Sequence, residues 1–306
     1  MWGRIKDLAK TLVSNPIEPA KTIPVILGTL VMVAGAVALW LQVGSGGGGN
    51  LHVYFFDVGQ DDSALIVTPE GRQVLVDGGP NADSEIQALS KTIPSGDRSL
   101  DLVVLTHLDS DHSRGLLNVL DQYDVGAVLA GVDSPDSSMR DQWLASLNRN
   151  DSLVIPVHAG YQIDLGSRVF AEVLNPRPGP YGGASANDDA VVLRLTYGEI
   201  SFLLTADIEV ETESYLSVGD ATIRRTVLKA AHHGSQTSSP ASFVDAVDPK
   251  IVIISVGQNN SFGHPNVDVL GRLINETESD NLYRTDRKGS VEFVADGRNL
   301  WVNTER

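Results

Sequence analysis

The chain has 306 residues, 42% of them apolar, which is enough for one large domain or two small ones, and its net charge of −16 argues against a passive polyanion-binding module. It holds no cysteine, which excludes disulfides, a thiol nucleophile and cysteine-ligated structural zinc at once.

The acidity is uneven: residues 1–22 carry Arg4, Lys6, Lys10 and Lys21 against only Asp7 and Glu18. From Ile23 to Val43 no side chain ionises, a length that meets the roughly 20 apolar residues a bilayer-spanning helix needs. The sequence therefore predicts one transmembrane helix over 23–43. With the basic residues on its N-terminal side, residues 1–22 are expected in the cytoplasm and the rest outside the cell membrane. A cleaved signal peptide is the alternative, but its apolar stretch would be unusually long and Leu41-Gln42-Val43, directly before Gly44, is not a small-x-small site. Residues 44–50, nearly all glycine and serine, read as a flexible tether, and the folded domain is expected over 51–306.

Within that domain, apolar alternation predicts strands near His52–Val58, Ala64–Thr68, Gln73–Val76 and Leu102–Thr106, with helices near Ser84–Thr92, Gly115–Gln122 and Asp141–Leu147 where apolar positions recur at three- and four-residue spacing. Strands follow near Ala190–Leu195, Ser201–Thr205, Thr226–Lys229, Ile251–Val256 and Ser290–Val294, and helices near Pro240–Val247 and Val267–Asn275 separate the later ones. Two similar mixtures in succession imply an α/β domain of two face-to-face sheets with helices outside.

The chemistry concentrates where apolar runs end. His107-Leu108-Asp109-Ser110-Asp111-His112 follows the strand Leu102–Leu105, and it puts four metal-ligand types in six positions, which converge only if the loop curls around an ion. Asp207 ends the run Phe202–Thr205, a costly place for a carboxylate unless it is partnered, and so is a candidate bridge between two ions. The pair His232-His233 and His264 follow later strands in the same way. His52 and His158 have no such neighbours and read as structural, while Arg284 and Arg287 read as salt-bridge partners rather than a phosphate fork.

Thr106 to Gly115 resembles the HxHxDH metal motif of the metallo-β-lactamase superfamily, with Asp109 where a second histidine is usual. Several further strings resemble the C-terminal extracellular domain of the ComEC competence family: Phe56–Ser63, Val76-Asp77-Gly78-Gly79, Leu204–Asp207, His232–Ser235, and Ser255–Asn259 running to Gly263-His264-Pro265. The match covers about residues 51–306. It implies an αββα sandwich and two divalent ions, zinc or manganese. It makes His107 and Asp109 ligands of one ion, Asp111 and His112 ligands of the other with His264, Asp207 the bridge, and His233 the completion of the first site. Which of His232 and His233 binds is not settled by spacing, and His232 is the candidate proton donor or phosphate contact. Asp111 is expected to orient the attacking water, and Asp57 and Asp77 to hold neighbouring groups by hydrogen bonds.

The pattern is departed from at Asp109, which favours harder ions, at Asp61 in place of glycine and at Ala190 in place of serine. The many-span channel of competence proteins has no counterpart in this sequence. The resemblance implies a membrane-anchored metal-dependent phosphodiesterase, a nuclease acting on single-stranded DNA. Two alternatives stand beside it: a cell-envelope phosphoesterase releasing phosphocholine, and a tethered binding protein without turnover.

Overall fold

A computed structural model describes residues 49–131, 138–150, 152–178, 185, 187–218, 223, 225–277 and 279–306. The span expected at 23–43 lies outside them, and among the described residues no helix is long and apolar enough to cross a membrane.

Two sheets carry the domain. The first contains β1 (Leu51–Phe55), β2 (Ala64–Val67), β3 (Gln73–Val76), β4 (Ser99–Leu105), β5 (Asp124–Ala130), β6 (Leu153–Pro156), β14 (Val291–Ala295) and β15 (Leu300–Thr304), in the order β15-β14-β1-β2-β3-β4-β5-β6. The second runs β13-β12-β11-β10-β9-β8-β7, from β7 (Gln162–Asp164), β8 (Val169–Asn175), β9 (Val192–Tyr197), β10 (Ile200–Leu204), β11 (Val227–Lys229), β12 (Ile251–Ile254) and β13 (Leu282–Arg284). Each sheet is part antiparallel and part parallel: β3 to β6 are parallel in the first, β10 to β13 in the second.

Period-two alternation sorts the side chains into layers. Leu51, Val53 and Phe55 of β1, Ala64 and Ile66 of β2, and Val74 and Val76 of β3 face Phe202, Leu204, Leu193 and Leu195 of the other sheet in one buried core. The intervening Leu65, Leu75 and Val103 point outward, under α1 (Ala82–Thr92), α2 (Ser110–Gln122) and α3 (Ser138–Asn150), against Leu89, Leu116, Val119, Trp143 and Leu147. On the far side Leu203, Leu228, Val252 and Ile254 meet α4 (Val210–Val218), α5 (Ala241–Val247) and α6 (Val267–Thr277) through Leu216, Phe243, Val244, Val269 and Leu273. Three separate cores are what a four-layer αββα sandwich requires.

The structure adds elements that the pattern did not reveal: β5 to β8, α4, β13 and β15. The run β6, Leu153–Pro156, is largely exposed on a sheet edge and so carries no alternation to read. The strand expected at Ala190 begins at Val192, because Asn187–Asp189 form a 3-10 turn. The helix expected at Gly115 begins at Ser110 instead. Hence Asp111 and His112 stand on the first helical turn, not in a loop curled around an ion.

Candidate metal centre

Every principal residue of the centre follows the carboxyl end of a parallel strand: Asp77 after β3, His107 to His112 after β4, Asp207 after β10, His232-His233 after β11 and His264 after β12. Such ends are where an α/β sheet presents its binding crevice. Two glycines bring α2 against β3. A Cβ on Gly115 would lie 1.8 Å from Gly78 O, and one on Gly78 would lie 2.7 Å from Leu116 N. The gap is closed by Gly78 N–H donating to His112 O at 2.9 Å and Gly115 N–H to Gly79 O at 3.0 Å.

Four residues converge: Asp111, His112, Asp207 and His233 each offer a ligand atom, all within 4.8 Å of one another. The focus is Asp207 Oδ2, with His233 Nε2 at 3.2 Å, His112 Nε2 at 3.4 Å and His232 Nε2 at 3.8 Å. His107 joins from the side, its ring centroid 4.1 Å from that of His112 and its Nε2 3.7 Å from Asp109 Oδ2. Asp109 occupies the N-cap position of α2 yet its carboxylate makes no capping bond, so a plain helix cap does not account for it.

The tautomers follow from the partners behind the rings. His112 Nδ1 donates to Asp77 Oδ2 at 2.8 Å, and His233 Nδ1 donates to Ser255 O at 2.9 Å. Thr106 spends its single hydroxyl proton on Asp77 Oδ2, so its oxygen accepts from His107 Nδ1 at 3.0 Å. In their neutral, metal-binding form all three rings thereby present a bare Nε2 to the centre. The Nε2 atoms of His112 and His233 are buried and without a hydrogen-bond partner. Buried lone pairs aimed at one carboxylate oxygen are what a divalent cation satisfies, so the residues fit a metal.

Burial and the neighbouring charges shift the ionisation of these groups in opposing directions. Burial opposes ionisation of Asp207, but His233, His112 and Lys229 hold it well below the carboxylate range. Burial opposes protonation of His112, while Asp207 and Asp77 hold its imidazole well above the usual value. His107 is held well below it, by burial and by His112. Burial, with the charge of Asp111 beside it, pushes Asp61 up to about 8. His264 is brought down to about 4 by burial and then by His233 and His232.

The two histidines of the pair His232-His233 differ in position. His233 is buried with its ring in the cluster, whereas His232 is only partly buried and its Nδ1 lies 3.3 Å from Glu209 Oε1. Both sit at positive φ, 47° and 54°, as do Asp77 and Ala206. Left-handed backbone at non-glycine residues is costly and gathers at functional sites. His264 lies outside the four-residue group, with ring centroids 5.6 Å from His232 and 6.2 Å from His233. Asp57 is engaged elsewhere, in an ion pair with Arg306. Arg284 pairs with Asp286, and His158 donates to Ala159 O.

Sequence reasoning missed two residues. Lys229, 3% exposed at the end of β11, ion-pairs with Asp62 and stands 3.5 Å from Asp207 Oδ1, donating also to Ala206 O at 2.8 Å. Asp62 completes a second buried trio with Asp77 and His112. A lysine closing an apolar run immediately before Ala230-Ala231-His232 was the available signal.

Residues 56–258 match the family model of the metallo-β-lactamase superfamily, and the chain belongs to that superfamily of hydrolases. Among curated proteins it is 30% identical to ComE operon protein 3 of Bacillus subtilis over 259 residues, and 29% identical to competence protein ComA of Neisseria gonorrhoeae over 242. Each match covers 79% of this chain and 32% of the relative, so the chain spans about a third of those proteins' length. Among solved structures, the metallo-β-lactamase fold protein YhfI from Bacillus subtilis aligns at a TM-score of 0.50 and 10% identity, over 76% of this chain and 95% of that one, which shows the fold.

Proposed function

We propose that the domain is a divalent-metal-dependent phosphodiesterase, a nuclease acting on single-stranded DNA, tethered to the cell membrane through residues 23–43 with the hydrolase domain outside. The observation that carries the reading is the convergence of the buried, unpartnered Nε2 atoms of His112 and His233 on Asp207 Oδ2. In this reading His107, Asp109, Asp111, His112, Asp207 and His233 hold two ions, manganese or zinc, and the oxygen-rich donor set favours the harder one. Bound there, such ions polarise a phosphoryl group and ionise water near neutral pH.

The chain's own residues do the rest. Asp77 and Ser255 fix the rings of His112 and His233 so that their Nε2 atoms do not turn away. Asp111, partly exposed on the first turn of α2, orients the attacking water. His232, partly buried beside Asp207 with Glu209 behind its Nδ1, supplies the proton to the leaving oxygen. The likeness to competence proteins supports a nucleic-acid substrate. The test is hydrolysis of a bis-aryl phosphodiester and of a single-stranded oligonucleotide by metal-replete protein. His112→Ala and Asp207→Ala are expected to abolish both while circular dichroism is unchanged; turnover at the wild-type rate in either variant overturns the reading.

A further inference from the structure

The amide of Gln60 gives His264 a chemistry opposite to that of His107, His112 and His233. Gly257 donates its N–H to Gln60 Oε1 at 3.0 Å, and a Cβ on Gly257 would lie 2.6 Å from Gln60 N, so the two loops touch and the amide is locked between them. With its oxygen committed to that donor, Gln60 turns its NH2 to His264 Nδ1, 3.3 Å away. An amide NH2 only donates, so Nδ1 accepts, and a neutral imidazole whose Nδ1 accepts carries its proton on Nε2. In His107, His112 and His233 the proton lies on Nδ1 and Nε2 is bare.

The ring is also held in place. Asn260 accepts the His264 N–H at 3.0 Å and donates to Gly257 O at 3.1 Å and His264 O at 2.7 Å, which braces the loop across its width. His264 is partly buried, at the edge of the centre, outside the group of converging ligand atoms but beside the rings of His232 and His233.

We infer that His264 is a hydrogen-bond donor to the substrate, presenting Nε2–H to an anionic phosphoryl oxygen, rather than a metal ligand, and that Gln60 is the positioning residue that sets this tautomer. The inference rests on the phosphodiesterase reading above. A fixed donor at the rim stabilises the charge that gathers on the phosphoryl oxygens as the diester is attacked, whereas a ligand would need Nε2 bare.

Elemental analysis, steady-state kinetics and imidazole 15N shifts of the full chain separate the possibilities. His264→Asn is expected to keep the wild-type metal content while kcat for the diester falls about a hundred-fold, as for loss of one preorganised donor; His112→Ala is expected to lose metal. Gln60→Glu replaces the NH2 by an acceptor, inverts the tautomer, and is expected to lower kcat with metal content retained. The 15N shifts of His264 are expected to report Nε2–H, against Nδ1–H for His112 and His233. Loss of a metal equivalent in His264→Asn, or an Nδ1–H signal for His264, overturns the donor role and leaves the metal reading standing. Wild-type protein that takes up no metal and cleaves no diester overturns both.

Discussion

At the residue scale, the centre is governed by what each polar atom is already bonded to. Asp207 is divided: Oδ2 faces the histidines, while Oδ1 is buried with the ammonium of Lys229 as its nearest cation. Lys229 in turn needs both carboxylates, because a buried ammonium without partners is costly. Lys229→Met strands Asp62 and is expected to lower stability by ~3 kcal/mol in urea unfolding, with Asp62→Asn in the same chain recovering part of the loss. An additive double variant would show that the pair is not coupled. Glu85 offers a separate titration, since it is fully buried and burial, with the charge of Asp77, raises its carboxyl to about 8. The folded state then holds a proton that the unfolded chain has released above its ordinary value of 4.5. Stability from this group is fully present below that value and is lost as pH rises through about 8. Glu85→Gln is therefore expected to gain on the wild type steadily between those limits; a difference that does not change with pH would refute the assignment.

At the scale of elements, the approach of α2 to β3 decides whether the centre exists. Gly115 leaves no room for a side chain because its Cβ would overlap Gly78 O. Gly115→Ala must displace the first turns of α2, which carry Asp111 and His112, and is expected to cost ~3 kcal/mol as an overpacked contact. It should also weaken metal binding by an order of magnitude or more, read by competition with a chelating dye. Unchanged affinity would mean that the helix is positioned by its hydrophobic face alone, through Leu116, Val119 and Leu120.

At the scale of the molecule, an acidic domain is proposed to act on a polyanion, and the two are reconciled only if cations in the centre provide the attraction. With few phosphate contacts from side chains, oligonucleotide affinity is expected to fall less than about ten-fold between about 50 and 200 mM salt, well short of the drop shown by proteins with many lysine and arginine contacts. A steeper fall would point to a basic track elsewhere. Chelation should expose the same dependence in stability: the acidic cluster loses its counter-charge, and the unfolding temperature is expected to drop and to recover when manganese or zinc is restored. No change on chelation would remove the metal from the account.

The superfamily, the layered α/β architecture and the positions of the ligand-type residues were legible in the chain. Each depends on local signals: alternation along strands such as Leu51–Phe55, and polar residues set where apolar runs stop. The order of the exposed edge strands was not legible, because β6 lies half in solvent and carries no periodic mark. Nor were the roles within the centre. Whether His232 or His233 turns inward depends on left-handed backbone after β11 and on Ser255 waiting 22 residues along the chain. Lys229 and Gln60 become part of the chemistry only when separate strand ends meet, since a hydrogen bond that fixes a tautomer joins atoms brought together by packing, and no spacing in the chain records it.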